Sequence, residues 1–311
     1  MDTYYKYSKY FGLKYLKDIT LRISSPYTLN DPFEEIINEE VMERLQSIAK
    51  PEDMGLSDYK KYFGEDSAKE FLTSRINSLI DGYGIVSFSE TPRNLLMWAH
   101  YADEHNGICI GFKKDLFESQ KKAGPTINNI ESYIPQKIDY DSIRPENIES
   151  MANSRDEIRH QARRQLLTKS DDWIYEKEHR CILPMKWADQ LRLVDKKDER
   201  LFELDYINDG LLDEIDDDLF EGEGVSHLAE NLFRLKEKAF LKKVNISSVV
   251  SIHLGCKMKK YEEDLLVDTF SQENSPFGHI KLYKCQPSKN RFELKVTQIF
   301  PKNNSQINEI P

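Results

Sequence analysis

The sequence of 311 residues contains no apolar run long enough to cross a bilayer as a helix. Its first residues lack the basic stretch followed by an apolar stretch that is typical of a secretory signal peptide. Cysteine is scarce, and the four cysteines are far apart in the sequence: Cys109, Cys181, Cys256 and Cys285. Their spacing fits neither a disulfide framework nor a metal-binding motif. We therefore expect a cytoplasmic protein with reduced thiols, no metal and no membrane contact.

An excess of positive charge is also missing, since 54 acidic residues outnumber 44 basic ones and the formal net charge is −10. This sign disfavours broad nonspecific binding to nucleic acid, although it is compatible with a local basic groove. What the chain does contain is aromatic side chains, with 15 Phe and 16 Tyr. Such a content excludes a disordered protein, and the length is sufficient to bury a substantial core.

Short strand-like segments alternate with helical ones, which predicts a single α+β domain over residues 1–300 and a polar tail at 301–311. The predicted strands are 3–8, 20–24, 85–89, 107–112, 132–140, 173–183, 249–254, 280–283 and 292–299, and the predicted helices are 11–17, 91–101, 226–243 and 259–270. Three further segments stand apart. We expect a mainly helical insertion at about 33–80, a basic helical segment with a solvated face at about 145–168, and an exposed acidic insertion or mobile loop at about 203–223.

Glu178 is the most informative residue of the chain, because it lies in a predicted strand that continues into the apolar residues 181–183. Carboxylates weaken strands and are costly to bury unless a partner or a substrate requires them. Strict alternation would place Glu176, Glu178 and Arg180 on one face of this strand. That arrangement is explained either by a solvated strand face with a local ion pair or by a functional site, and the spacing alone leaves both interpretations open.

Other segments combine polar and aromatic groups near predicted strand ends. Lys6 and Ser8 share one face of the first strand, and Ser87 and Ser89 share one face of strand 85–89. The helix that follows carries Met97, Trp98, His100 and Tyr101. Each of these residues also has a structural interpretation, as a core aromatic, a solvated strand residue or a helix histidine.

Three of these segments resemble parts of ADP-ribosyltransferases, and they occur in the same order along the chain. Residues 5–8 are similar to the first strand of those enzymes, and residues 82–101 are similar to their central segment. Residues 175–178 are similar to the segment that carries their catalytic glutamate, in a Glu-x-Glu form typical of the arginine-modifying subgroup. The resemblance implies an ADP-ribosyltransferase-like mixed β core with helical insertions, and NAD as the substrate.

The same resemblance implies roles for individual residues. Glu178 would stabilise the oxocarbenium-like transition state, Glu176 would steer or deprotonate the acceptor, and Lys6 would act as the catalytic cation. The side chains expected to contact NAD are Arg22, Tyr7, Ser8, Tyr83, Ser87, Ser89, Trp98 and Tyr101. The chain departs from the family pattern in having Lys6 where those enzymes have His or Arg, with Arg22 as a candidate compensating cation, and in lacking a tyrosine on the second strand.

A resemblance to an uncharacterised bacterial family extends over nearly the whole chain. It is carried by Ser-Ser-Pro-x-x-x-Asn-Asp-Pro-Phe-Glu at 24–34, Met-Trp-Ala-His-Tyr-Ala at 97–102 and Tyr-Glu-Lys-Glu-His-Arg at 175–180. Members of that family are found near phage-defence genes. The resemblance implies an antiviral effector or toxin that acts on a protein or a nucleic acid and has a regulatory partner.

Two other functions are compatible with the same residues. Asp31, Glu34, Glu176 and Glu178 beside Lys177 are suited to a metal-dependent nuclease, since Mg²⁺ prefers carboxylate ligands. Alternatively, the acidic and basic segments bind partners in a sensor that has no enzymatic activity.

Overall fold

The computed structural model describes residues 2–34, 70, 74, 77, 80–118, 130–143, 154–194 and 201–301. Most of the predicted insertion at 33–80, the beginning of the basic segment at 145–168 and nearly all of the polar tail lie outside the described residues. Within the described part of the chain, none of the helices has the length and apolar composition needed to cross a membrane.

The described chain is a mixture of short strands and helices, as the sequence predicted. The strands are β1 (Thr3–Ser8), β2 (Thr20–Ile23), β3 (Tyr83–Ser89), β4 (Ile108–Lys113), β5 (Ser132–Lys137), β6 (Asp139–Asp141), β7 (Thr168–Ser170), β8 (Glu178–Pro184), β9 (Gln190–Leu193), β10 (Asp213–Asp216), β11 (Leu219–Glu221), β12 (Lys238–Lys243), β13 (Val249–Leu254), β14 (Lys281–Pro287) and β15 (Leu294–Phe300). The helices are α1 (Leu13–Lys17), α2 (Leu95–Tyr101), α3 (Ser154–Leu166), α4 (Leu201–Asn208), α5 (Gly224–Asn231) and α6 (Lys260–Ser271).

Two large sheets organise these elements. The eight-stranded sheet has the order β15-β14-β13-β4-β1-β3-β8-β5, and the five-stranded sheet has the order β10-β11-β9-β12-β2. A bridge between Ser24 and Ile85 links the end of β2 to β3. The largest apolar cluster takes side chains from both sheets, including Phe112 and Phe220, which are each fully buried. Burial of this apolar surface is the main favourable contribution to folding.

The opposite face of the eight-stranded sheet changes character along β3 and β8. Ile85 pairs with Ile182, and both belong to a small apolar cluster that packs on α3. Two residues further along, Ser87 pairs with Arg180, and then Ser89 pairs with Glu178. Because side chains alternate between faces, these polar residues lie on the same face as Ile85 and Ile182. A polar site therefore interrupts an apolar sheet face.

Several predicted segments differ from the structure in where strands and helices begin and end, or in which of the two they form. The predicted strand 132–140 is two strands in different sheets. Strand β5 is at the edge of the eight-stranded sheet, and β6 forms a two-stranded sheet with β7. The predicted helix 226–243 is α5 followed by β12, which pairs with β2 and β9. The acidic segment 203–223, expected as an exposed insertion or a mobile loop, contains the end of α4 and the β10–β11 hairpin, in which β10 is exposed and β11 pairs with β9. In each segment, pairing with a distant strand decides the structure, and this pairing leaves little trace in local periodicity.

Candidate functional site

Strand β8 brings a carboxylate and a guanidinium into direct contact. Arg180 donates from Nε to Oε1 of Glu178 at 2.7 Å and from Nη2 to Oε2 at 3.0 Å. Its Nη1 donates to the carbonyl oxygen of Leu166 at 2.9 Å. Glu178 is 3% exposed and Arg180 is fully buried. A bidentate pair of this kind fixes the orientation of the carboxylate.

Lys169 on β7 connects this pair to two further carboxylates, those of Glu176 and Glu34. Its Nζ lies 2.8 Å from Oε2 of Glu176, 3.5 Å from Oε2 of Glu178 and 3.7 Å from Oε1 of Glu34. Oε2 of Glu34 lies 2.8 Å from Nη2 of Arg180. Five buried side chains, each no more than 5% exposed, are called the ion network below: Glu34, Lys169, Glu176, Glu178 and Arg180.

The three sequence motifs converge on the ion network. Glu34 comes from the 24–34 motif, and Tyr101 of the 97–102 motif donates its hydroxyl to Oε1 of Glu176 at 2.6 Å. That hydroxyl accepts from Nδ2 of Asn30 at 2.6 Å, which ties the first motif to the second. The 175–180 motif contributes Glu176, Glu178 and Arg180. Residues far apart in sequence thus build one site.

The ion network contains three carboxylates and only two cations. Burial acts to raise the pKa of Glu178, but Arg180, Lys169 and the Ser87 hydroxyl outweigh it and lower this pKa to about 2. For Glu34 the balance is reversed, since burial raises its pKa despite both cations, with Glu178 adding to the rise. Neighbouring carboxyl groups whose pKa values are driven apart are suited to different tasks in proton chemistry. Glu178 is the ionised partner, and Glu34 is the one that takes up a proton more readily.

Half-buried residues on β1, β2 and β3 lie close to the ion network. Lys6 donates to the carbonyl oxygen of Ser87 at 2.8 Å. Burial lowers the pKa of its ammonium to about 8, Glu178 and Glu176 oppose this change, and Arg22 adds to it. Arg22 is itself half-buried and forms no hydrogen bond or ion pair with the described residues. Lys6 therefore lies within electrostatic reach of the ionised carboxylate, and Arg22 lies within reach of Lys6 with donor capacity available to an anionic ligand.

A second approach leads from the side of the 24–34 motif. A cavity of about 120 Å³ is lined by Glu34 and Lys169, together with Asp31, Phe33 and Gln165 among others. Asp31 is 1% exposed and accepts from the backbone N–H groups of Phe33 at 2.9 Å and Ser170 at 3.4 Å. Asp31 thus shapes the loop that delivers Glu34. The turn at 32–34 is described, whereas the helix expected to follow Asp31 lies outside the described residues.

The prediction that Glu176 and Glu178 alternate along one strand is wrong. Residues Asp171–Glu176 form a 3₁₀ helix, and β8 begins only at Glu178. Lys177 between them has a φ of 47°, in the left-handed region that is unusual for a residue other than glycine. The reversal at Lys177 is what brings both carboxylates into the network. The prediction that Glu176, Glu178 and Arg180 lie close together is confirmed, but the cause is the turn at Lys177 rather than alternation along a strand.

The remaining residues predicted to contact NAD divide into buried and half-buried groups. Trp98 is 0% exposed, packs edge-on against Tyr7 at 5.3 Å between centroids, and donates from Nε1 to the carbonyl oxygen of Pro92. Tyr7 and Tyr83 are also buried, so none of these three rings has an open face. Ser89 is buried and donates to the carbonyl oxygen of Glu176 at 2.8 Å. These four residues support the site from within.

Ser8 and Tyr101 belong to the half-buried group, but they lie in different places. Ser8 donates to the neighbouring carbonyl oxygen of Lys9 at 3.0 Å, and no described contact joins it to the ion network. Tyr101 reaches the network directly, and its ring lies 6.3 Å from that of His100. His100 in turn lies 6.4 Å from Tyr175. The open aromatic surface at the site is therefore built from these three residues rather than from Trp98.

Sequence reasoning missed Lys169 and did not include Glu34 or Arg180 in the main NAD-binding site. Lys169 follows the basic segment and has no periodic signal that separates it from Arg163 or Arg164. Tyr140 was also missed, although its hydroxyl accepts from the backbone N–H of Glu178 at 2.7 Å. Arg163, expected on a solvated face, is half-buried and donates to the carbonyl oxygen of Ile130 at 2.9 Å.

The ion network bears on the alternative of a metal-dependent nuclease. The ammonium of Lys169 occupies the position among Glu34, Glu176 and Glu178 where a hard cation would be expected to bind. Among the residues that the structure describes, no group of three or more His, Cys, Asp or Glu side chains is arranged to hold a metal ion. The space between these three carboxylates is therefore filled by a protein ammonium group.

Helix α2 positions Tyr101, and Asn94 begins this helix. Oδ1 of Asn94 accepts from the backbone N–H groups of Leu96 at 2.9 Å and Met97 at 3.2 Å, and Nδ2 donates to the carbonyl oxygen of Tyr175. We expect Asn94→Ala to lower the free energy of unfolding by about 1–2 kcal/mol, because both the cap and the link to Tyr175 are lost. Urea unfolding measures this change.

Two variants serve as controls for Asn94→Ala. Asn94→Asp keeps the acceptor for the helix N-terminus and removes only the amide donor, so it should recover part of the loss. Asn208→Ala, at an exposed position at the end of α4, should change stability by no more than about 0.5 kcal/mol. Equal stability of Asn94→Ala and the unmodified protein would contradict the assigned role of the cap.

Comparisons with known proteins connect this site to one family model. The model described as "Protein of unknown function (DUF2971)" matches residues 97–181, a segment that begins in α2 and ends in β8. The matched segment contains Tyr101, Tyr140, Lys169, Glu176, Glu178 and Arg180. Comparison with curated proteins and with solved structures gave no match. The part of the chain that is similar to this uncharacterised family is thus the part that supplies most of the ion network.

Proposed function

We propose that this protein is an ADP-ribosyltransferase-like enzyme that transfers ADP-ribose from NAD to a protein or nucleic acid. The observation that carries the proposal is the state of Glu178, which is ionised, held by two hydrogen bonds from Arg180 and placed 3.5 Å from the ammonium of Lys169. The mixed β core with helical insertions is assigned to the same fold type within this proposal. A role in phage defence or as a toxin, with a regulatory partner, follows from the sequence resemblance and belongs to the proposal as well.

The reaction requires the bond between C1′ of the ribose and the nicotinamide nitrogen to break. Nicotinamide leaves with the bonding electron pair, and C1′ acquires positive charge until a lone pair of the acceptor forms the new bond. The acceptor then loses one proton. A preoriented carboxylate that is shielded from water stabilises the developing charge without reorganisation. Glu178 has this character because Arg180 fixes both of its oxygens.

Lys6 and Arg22 have different tasks in the proposed reaction. The guanidinium of Arg22 is suited to the diphosphate of NAD, since it forms no hydrogen bond or ion pair with the described residues. With a pKa lowered to about 8, the amine of Lys6 exchanges protons near neutral pH and can receive the acceptor proton. Glu176, whose oxygens accept from Tyr101 and Lys169, positions the site rather than acting as the base.

Stacking on nicotinamide is assigned to the partly open aromatic surface around Tyr101 and Tyr175. Planar cationic rings bind well against such faces. Trp98, which the resemblance suggested, supports helix α2 from inside instead, as its buried ring and its bond to Pro92 indicate.

Incubation of the purified protein with NAD, followed by quantitative chromatography of nicotinamide, tests the proposal. We expect nicotinamide release by the unmodified protein and a rate on the order of a hundredfold lower in Glu178→Gln, because one preorganised charge is lost at the transition state. Arg22→Gln should raise the KM for NAD by about tenfold while leaving the ion network intact. Thermal unfolding of each variant separates a loss of chemistry from a loss of fold.

Glu230→Gln is the matched control, since Glu230 is exposed on α5 and belongs to neither the network nor its surroundings. Its rate should equal that of the unmodified protein. Absence of nicotinamide release and of any thermal stabilisation by NAD would overturn the proposal. Toxicity on expression that persists in Glu178→Gln would instead favour a binding module. Cleavage of nucleic acid that EDTA abolishes would favour the nuclease.

A further inference from the structure

A second cavity lies on the eight-stranded sheet, apart from the ion network. Its volume is about 620 Å³, and it is lined by side chains of β1, β4, β13 and β14, which are neighbours in the sheet, and by Pro92 and Arg93. Gly111 on β4 sits at the centre of this surface. A Cβ atom there would collide with the hydroxyl of Ser251 and would crowd the ring of Tyr5 at 3.1 Å. Glycine therefore lets these two side chains approach each other over the central strand.

The charge of this cavity is opposite to that of the whole chain. Arg93, Lys113 and Lys281 are exposed around it, and none of the residues that line it is acidic. The chain as a whole has a formal net charge of −10. A concave surface lined by charges of one sign focuses the electrostatic potential and attracts ligands of opposite charge. The cavity is thus suited to an anion.

One residue that lines the cavity, His253, has a ring nitrogen that the described part of the protein leaves without a hydrogen bond. His253 is only 4% exposed, and its Nδ1 has no hydrogen-bond partner among the residues that the structure describes. Its Nε2 lies 3.3 Å from the hydroxyl of Ser251. Burial, together with the nearby charge of Arg93, lowers the pKa of His253 to about 3, so the imidazole is neutral. Buried polar atoms are normally paired, and this one has donor or acceptor capacity left for a ligand.

Aromatic rings hold His253 in place. Its ring stacks on Tyr283 at 4.7 Å between centroids and 9° between planes, and Tyr5 meets it edge-on at 5.6 Å. Tyr5 and Tyr283 also line the cavity. The site therefore combines a cationic rim, aromatic walls and a rigid polar floor, within the range of about 300–1,000 Å³ that is usual for small-molecule sites.

We propose that this cavity binds a phosphate-bearing organic anion of nucleotide size, with Arg93, Lys113 and Lys281 at the phosphate and Ser251 and His253 at the organic part. Guanidinium and ammonium groups are the usual protein partners of phosphate. A neutral imidazole and a hydroxyl suit the polar edge of a base or sugar. This assignment does not depend on NAD turnover at Glu178.

Calorimetric titration with AMP as the probe tests the assignment. We expect AMP to bind the unmodified protein and to bind about tenfold more weakly, or worse, to the double variant Arg93→Gln/Lys281→Gln. The double variant Arg192→Gln/Lys236→Gln removes the same charge from exposed positions elsewhere and should bind AMP normally. His253→Phe should also weaken binding while keeping the stack on Tyr283. Its thermal stability should change little, because removal of the unpartnered buried Nδ1 offsets the loss of the contact between Nε2 and the Ser251 hydroxyl.

Further ligands and variants test which parts of AMP the cavity recognises and whether AMP binds in this cavity or near Glu178. Adenosine, which lacks the phosphate, and inorganic phosphate, which lacks the organic part, should each bind much more weakly than AMP. Equal binding of either one would overturn the assignment, as would no detectable AMP binding, an equal loss in the Arg192→Gln/Lys236→Gln control, or binding of an oligonucleotide in place of AMP. Glu178→Gln and Arg22→Gln should retain AMP binding here, which distinguishes this outcome from failure of the proposed transferase activity.

Discussion

Arg180→Met should lower the free energy of unfolding by about 3–5 kcal/mol, because it leaves buried carboxylates without their main partner. Arg180 is fully buried and contacts both Glu178 and Glu34 at 2.7–2.8 Å. Methionine fills a similar volume with apolar atoms, so the loss reflects charge rather than a cavity. Urea unfolding followed by circular dichroism, at neutral pH and with a shared m-value, measures the change.

Two comparisons make this result specific to the ion network. Arg192→Met replaces an exposed arginine on β9 and should change stability by no more than about 0.5 kcal/mol. In the double variant Arg180→Met/Glu178→Gln the second change removes one of the stranded charges, so the combined loss should be smaller than the sum of the single losses. Additive effects, or an Arg180→Met protein as stable as the Arg192→Met protein, would show that the charges are not coupled.

The cost of the ion network is itself informative about its purpose. Burying paired charges seldom stabilises a fold more than apolar residues of the same size would. Glu34, Lys169, Glu176, Glu178 and Arg180 nevertheless all lie at 5% exposure or less on a sheet face that is apolar on either side. Fixed charges that hold a carboxylate in one orientation are what a catalytic centre requires. This argument supports the proposed enzyme more than it supports a passive scaffold.

The fold was predictable from sequence where local pattern and tertiary pairing agree. Strands β1 and β13 begin and end where alternation and β-branched or aromatic residues placed them, and α6 differs by one residue at each end from its predicted bounds. Residues 238–243 contain Lys-Ala-Phe-Leu-Lys-Lys, which has good helix propensity, yet β2 and β9 recruit them as the strand between them. The sheet order, with β8 next to β3, depends on pairs such as Ser89 with Glu178 and Tyr83 with Pro184, which are far apart in sequence, and it has no local signature.

The candidate site was predictable in part, for similar reasons. Glu178 and Glu176 were identified because acidic residues in an apolar strand conflict with packing, and such conflicts mark sites that something else maintains. Trp98 and Tyr7 were assigned to a ligand because aromatic residues near polar ones have the same sequence pattern whether they are core or surface. Lys169 was missed because its three carboxylate partners come from two segments that are far apart in sequence, one at residue 34 and the other at 176–178. Only the assembled structure could reveal that shared partner.

Acid should destabilise the protein through Glu178. Arg180, Lys169 and Ser87 lower the pKa of this carboxyl to about 2, against the raising effect of burial and from a usual value of 4.5. Because the folded pKa is the lower one, this stabilisation is fully present above pH 4.5 and is lost as the pH falls from about 4.5 to about 2. The shift corresponds to roughly 3 kcal/mol in all. Urea unfolding at a series of pH values between about 6 and about 2 measures the loss.

Glu178→Gln isolates this contribution, since glutamine does not titrate. The difference in unfolding free energy between the unmodified protein and Glu178→Gln should shrink by roughly 3 kcal/mol across that pH range. Glu34, whose raised pKa acts in the opposite direction, is present in both proteins, and its contribution cancels in part because Glu178 is one of the groups that raise its pKa. Glu230→Gln, at an exposed carboxylate, should give a difference that stays nearly constant with pH. A constant difference for Glu178→Gln as well would mean that Glu178 titrates as an ordinary carboxyl and is not held ionised by Arg180.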